Sequence, residues 1–147
     1  MKTKLALLFT AVALLLGACS DSRSTSKASA SKKIEYKKIS ESAIKQTVDD
    51  MKSRDHIKDA SFTVKGNKIK MKLVVDDPNL TDDKTAIKYA DTYLRAISLY
   101  VDDNKPTKDS YGKIYDGYYV DIIVDDTDGM QAVEGKMYPG INSITWE

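Results

Sequence analysis

Residues 68–73 read Lys-Ile-Lys-Met-Lys-Leu, a strict alternation of cationic and apolar side chains. A helix would scatter those six side chains around its circumference. An extended strand places Lys68, Lys70 and Lys72 on one face and Ile69, Met71 and Leu73 on the other. The stretch therefore predicts a strand with one wet face and one face against a core, the habit of antiparallel sheets. The preceding "ASFTV" alternates as well, with Phe62 and Val64 on one side, and Gly66-Asn67 between the two runs is a hairpin signal.

The same reasoning extends along the chain. Ser40 is a candidate N-cap for a helix over about residues 40–53, in which Ile44, Val48 and Met51 fall on one side. In "PNLTDDKTAIKYADTYLRAISLYV", Thr81 offers an N-cap, and Asp82 and Asp83 suit the positive end of a helix dipole. Ala86, Ala90, Tyr93, Leu94, Ile97 and Val101 build its apolar stripe, which should stop near Asn104, before Pro106. "YYVDIIV" then reads as a strand, Asp128-Gly129 as a turn, residues 130–138 as the return, and "INSITW" as a short last strand. The fold class expected is α+β: a single antiparallel sheet of about four or five strands with two helices on one face.

The front of the chain obeys different rules. Lys2 and Lys4 precede an apolar run from Leu5 to Leu16, which leads into Gly17-Ala18-Cys19. About 20 apolar residues are needed to span a bilayer as a helix, and this run falls short. A basic start, a brief apolar stretch and small residues at its end describe an export signal. Leu16-Gly17-Ala18-Cys19 resembles the lipobox of bacterial lipoproteins. The resemblance implies a diacylglyceryl group on the Cys19 thiol, recognition through Leu16, Gly17 and Ala18, and cleavage that leaves Cys19 as the mature N-terminus. It further implies a lipid-anchored protein on the extracytoplasmic face of a cell membrane. Two acyl chains hold where one releases, at about 0.8 kcal/mol per buried methylene. Cys19 is the only cysteine, so no disulfide competes for it.

The expected organisation is a signal peptide at 1–18, the lipidated cysteine and a tether at 19–33, and one domain at 34–147. Residues 20–33, SDSRSTSKASASKK, carry a net charge of +3 and no apolar residue larger than alanine. Such a segment has too little to bury to order itself, and its cations suit anionic lipid headgroups as well as plain solvation. A tether of this length spans about 20 Å as a flexible coil and about 50 Å when stretched, so the domain would work close to its membrane. Residues 34–147 hold 17 basic and 21 acidic side chains, a net of −4. That balance, with export, argues against nucleic acid as a partner, and the lysine ladder is explained by a solvated sheet face. In its helix-and-hairpin order and its Lys, Asp and Tyr content, this part resembles the small cystatin-like-fold lipoproteins of Gram-positive bacteria. It departs from them in its second long helix.

No arrangement of residues announces catalysis. His56 is the only histidine, it lies in the polar connection "SRDHIKD", and no G-x-S-x-G motif accompanies it. A zinc site would have to combine His56 with carboxylates alone. "DDTDG" at 125–129 suggests a calcium loop, but alignment on Gly129 puts Val124 at the first ligand position and Gly135 at the twelfth. Turn and helix-cap chemistry accounts for these aspartates. No catalytic residue, cofactor or metal is therefore assigned.

"YGKIYDGYYV" places Tyr111, Tyr115, Tyr118 and Tyr119 close together. If Tyr118, Val120, Ile122 and Val124 face the core, Tyr119, Asp121 and Ile123 lie on the outer sheet face. Tyrosine offers contact area and a hydroxyl at low entropic cost, so Tyr115, Tyr119, Asp121 and Ile123 form a candidate partner surface. The competing reading packs these residues beneath a helix or beside the lysine ladder, with Asp121 paired to a lysine. The function expected is a non-catalytic interaction or accessory module with a membrane-proximal protein partner: an envelope-complex component, an inhibitor or an exclusion factor. The alternative is a lipoprotein that binds a small ligand or peptide. Replacement of Cys19 by serine should abolish acylation and release the protein from the membrane fraction, read by mass spectrometry of the N-terminal peptide.

Overall fold

The computed structural model describes residues 35–147. The expected signal peptide at 1–18, the lipobox-like Leu16-Gly17-Ala18-Cys19 and the expected tether at 19–33 lie outside the described residues. An extended lead-in reaches Ser40, whose hydroxyl accepts a hydrogen bond from the Ala43 amide at 3.1 Å and caps helix α1, Glu41–Lys52. The face this helix buries is rotated from the expected one. Ala43, Thr47 and Met51 are buried, and Ile44 and Val48 are half-covered beside them. Thr47 is tolerated there because its hydroxyl donates to the Ala43 carbonyl at 2.7 Å.

Strands β1, Ile57–Lys65, and β2, Lys68–Val75, form the expected hairpin, with Lys65 opposite Lys68. Gly66 occupies the first turn position at φ 59°, the left-handed conformation that a Gly-first two-residue turn requires. Helix α2, Asp83–Ala96, begins one residue later than expected. Asp82, not Thr81, is the cap, and its carboxylate accepts from the Thr85 amide at 2.6 Å. The α-helix ends at Ala96 and tightens into a 3-10 turn over Ile97–Leu99.

A loop then leads through a second 3-10 turn, Lys113–Tyr115, into β3, Tyr119–Asp126; β4, Gln131–Met137, and β5, Thr145–Trp146, follow. Asn104 organises that loop from a buried position, accepting from the Ile114 amide at 3.1 Å and donating to the Tyr111 carbonyl. Gly112 makes this possible: its φ is 93°, and a Cβ there would stand 2.0 Å from the Asn104 Oδ1.

The five strands lie in the order β1-β2-β3-β4-β5. Three junctions are antiparallel, but the central pair, β2 with β3, is parallel. The cause is α2, which carries the chain back along the sheet so that β3 starts beside the start of β2. Ile69, Met71 and Leu73 thereby align with Val120, Ile122 and Val124, and all six are buried. Helix α1 lies against β1, and α2 packs on β3 and β4. One face of the sheet is thus core and the other is open. The fold is the α+β class with helices on a single face that the alternation predicted.

Among the described residues one buried side-chain polar atom has no partner. The Tyr93 ring packs edge-on to Phe62, at 6.2 Å between centroids, and its buried hydroxyl makes no hydrogen bond. Burial pushes its ionisation well above the ordinary tyrosine value. An unmet buried hydroxyl costs about 1–3 kcal/mol. Tyr93→Phe should therefore raise the thermal midpoint, by the equivalent of about 1 kcal/mol; a lower Tm would show that the hydroxyl is bonded in solution.

Candidate functional site

The open face of the sheet is built by register. Parallel pairing sets Lys68 beside Tyr119, Lys70 beside Asp121 and Lys72 beside Ile123, while β4 brings Lys136 opposite Asp121 and Glu134 opposite Ile123. Some of these charges neutralise one another. Lys72 meets Asp125 at 2.6 Å, and Lys136 meets Glu134 at 3.3 Å and Glu147 at 2.6 Å. Lys68, Lys70 and Asp121 have no ion-pair partner among the described residues. The pairing of Asp121 with a lysine is therefore not what forms; Lys72 reaches diagonally to Asp125 instead.

Tyr119 is 45% exposed and Tyr138 48% exposed, and their rings meet edge to face with centroids 6.2 Å apart. Ile123 and Asp121 are half-covered between the lysine ladder and β4. The result is an aromatic pair at one end of a solvated face, bordered by unpaired cations and one unpaired carboxylate. Tyr138 was not anticipated. Its position at the end of the return strand is a residue beyond the ladder, where alternation no longer says which way a side chain points.

Tyr115 does not belong to this surface. It is buried, and its hydroxyl donates to the Leu94 carbonyl at 2.7 Å, tying the 3-10 turn to α2. Tyr118 is buried too and donates to the Lys37 carbonyl at 3.0 Å, while Tyr111 lies under the Arg95 guanidinium, 4.9 Å from the ring centroid. Of the four clustered tyrosines Tyr119 is exposed, Tyr111 half-buried, and Tyr115 and Tyr118 buried. The others fasten the loop and the lead-in to the core.

A second concavity of about 830 Å³ lies beside β1, between its last residues and the start of α1. Ile39, Ile44, Phe62 and Val64 give it apolar walls, and the Tyr36 ring packs against Tyr118 there at a tilt of 56°, with centroids 4.9 Å apart. Nothing in the sequence pointed to it. Tyr36 and Ile39 precede the first helix, in a stretch with no periodicity to read.

The acidic segments are occupied by local structure. The Asp126 carboxylate accepts from the Asp128 and Met130 amides, closing the turn after β3. Asp77 accepts from the Asn79 amide at 2.8 Å and from the Tyr89 hydroxyl at 2.7 Å, and the Tyr89 bond does most to hold its carboxyl below the ordinary value. His56 sits in a turn at φ 66°, its Nδ1 2.7 Å from the Asp76 carbonyl, which can only accept. Among the described residues no group of three or more His, Cys, Asp or Glu side chains is placed to hold a metal ion, and no helix is long and apolar enough to cross a membrane.

Compared with known proteins, the chain matches no family model, no curated protein and no solved structure.

Burial raises the ionisation of Tyr89, Tyr93, Tyr111, Tyr115 and Tyr118 and gives the domain an alkaline limit, to which Tyr89 and Tyr111 contribute at the most accessible pH. Burial, and after it the Asp77 carboxylate, pushes Tyr89 up to about 12; burial, and after it Asp91, does the same for Tyr111. A folded-state value above the ordinary 10.0 means stability that is complete below pH 10 and lost as pH rises toward 12. Circular dichroism and tyrosinate absorbance should thus show unfolding in that window, and the Tyr89→Phe, Tyr111→Phe double variant should unfold at higher pH.

Proposed function

We propose that this chain is a lipid-anchored, non-catalytic interaction module on the extracytoplasmic face of a cell membrane. In this reading Cys19 carries the anchor, and the open sheet face meets a membrane-proximal protein. The observation that carries the interaction half is the Tyr119–Tyr138 pair, exposed on a sheet face beside the unpaired Lys68, Lys70 and Asp121. Aromatic side chains concentrate at the centres of protein interfaces, with charge at the rim. Ion pairs satisfied within the face, such as Lys72 with Asp125, keep it rigid without spending the groups a partner would meet.

The anchor half rests on the lone cysteine behind a short apolar leader. A brief cationic tether and a domain of net negative charge suit a protein held near anionic lipid yet facing outward. One observation favours a second reading, a peptide or small-ligand receptor: the cleft beside β1, whose size falls in the range of ligand sites.

Affinity capture from detergent-solubilised membranes tests the first reading. The wild-type chain should recover one stoichiometric protein. Tyr119→Ala and Lys70→Glu, both at exposed positions, should reduce that recovery at least about tenfold while leaving Tm unchanged. Full recovery by both variants would remove the sheet face from the interaction. Unacylated protein with its initiator methionine intact in the cytosol would remove the anchor.

A further inference from the structure

The groove beside β1 has a second property that its volume does not describe. β1 is the outermost strand of the sheet and is nine residues long, whereas the opposite edge is the two-residue β5. The Tyr119 amide donates to the Asn67 carbonyl at 2.8 Å, so odd-numbered backbone groups at this end of β2 point toward β3. Even-numbered ones then point toward β1, and with Lys65 opposite Lys68 and Thr63 opposite Lys70 these are the rungs that join the hairpin. It follows that the amide and carbonyl groups of Phe62 and Val64 point away from the sheet. Neither residue has a backbone partner outside the hairpin among the described residues.

These four unpaired groups border the cleft whose walls include Ile44 and whose rim carries Lys38 and Lys65. Neither lysine is ion-paired among the described residues, Lys45 is engaged with Asp49, and Glu41 is the only acid lining the cleft. The other half of the edge is guarded. A bulge between Ile57 and Asp59 interrupts the strand, and Lys52 and Asp59 form an ion pair beside it. Only the half nearest the Gly66-Asn67 turn is open, a length suited to a short segment and too brief for edge-to-edge pairing of two whole strands.

We infer that the free edge of β1 at Phe62–Lys65 binds an extended, acidic peptide segment of a partner protein as an added sixth strand. Main-chain bonds to Phe62 and Val64 would supply affinity. Alternate side chains of the segment would enter the apolar cleft against Phe62 and Ile44, and the intervening ones would carry carboxylates to Lys65 and Lys38. The inference deepens the peptide-binding reading and rests on it, but it needs neither the anchor nor the open sheet face.

Fluorescence anisotropy with the full chain in detergent tests it, using a short capped peptide of alternating valine and glutamate. Three controls accompany it: the valine–lysine counterpart, a copy N-methylated at alternate amides, and light scattering of the chain alone. The valine–glutamate peptide should bind. Alternate N-methylation and the Lys38→Glu, Lys65→Glu double variant should each weaken binding at least about tenfold. Val64→Pro removes a donor that the hairpin does not use and should do the same. Equal binding of the lysine peptide, indifference to N-methylation, or no binding of either peptide would overturn the inference. So would a dimer of the chain that Val64→Pro dissolves, since the edge would then belong to a second copy. Affinity capture through Tyr119 is read separately, so failure here leaves the sheet-face reading standing.

Discussion

The parallel junction between β2 and β3 governs the rest of the domain. Parallel neighbours cannot be joined by a tight turn, because the chain must travel back the length of the sheet before the second strand starts. Here α2 makes that journey, and its buried Ala86, Ala90, Tyr93 and Leu94 become the roof over Ile122 and Val124. Once α2 covers the middle of one face and α1 covers β1, no α-helix among the described residues is left for the other face. The lysine ladder and Tyr119 are wet for that reason. The open face is a consequence of topology, and its chemistry is a consequence of register.

The loop between α2 and β3 supplies the second constraint. It carries little regular structure, yet three buried side chains hold it. Tyr115 bonds to the end of α2, Tyr118 bonds to the lead-in before α1, and Asn104 bonds to the loop's own backbone. Each buried polar tip has a backbone partner, the condition for placing tyrosine or asparagine in a core at low cost. Tyr93 is the exception, with a ring that packs well and a hydroxyl that does not. By fixing the lead-in, Tyr118 also shapes the cleft beside β1, because Tyr36 packs against the same ring and both line the cleft. The two candidate binding regions therefore differ in kind. The sheet face is made by strand pairing, and the cleft is made by where a structureless segment is tied down.

Period-two patterns were legible wherever a strand has one wet face: Lys68 to Leu73 and Tyr119 to Val124 point as the alternation requires. Legibility ended where a side chain is held by something distant. Tyr115 looks like a surface aromatic beside Tyr119, but it lies in a 3-10 turn, outside the strand, so alternation does not apply to it. The choice between Thr81 and Asp82 as cap is a matter of one residue, decided by which oxygen reaches the Thr85 amide. Ile44 and Val48 lost the deepest positions in α1 to Ala43 and Thr47, which share the buried face with Met51.

The sequence by itself determined the two helices, the two hairpins, the residues on each side of the first three strands, and the α+β class, because these depend on contacts between near neighbours along the chain. It also carries the short leader and lone Cys19 that the anchoring proposal rests on, since recognition of such a segment depends on its order of residues. Only the tertiary structure decided that β2 and β3 run parallel, that Tyr115 is core while Tyr138 is surface, and that the β1 edge opens onto a cleft. Those outcomes depend on where separate segments come to rest against one another, and a sum of long-range packing energies leaves no periodic trace in the order of the residues.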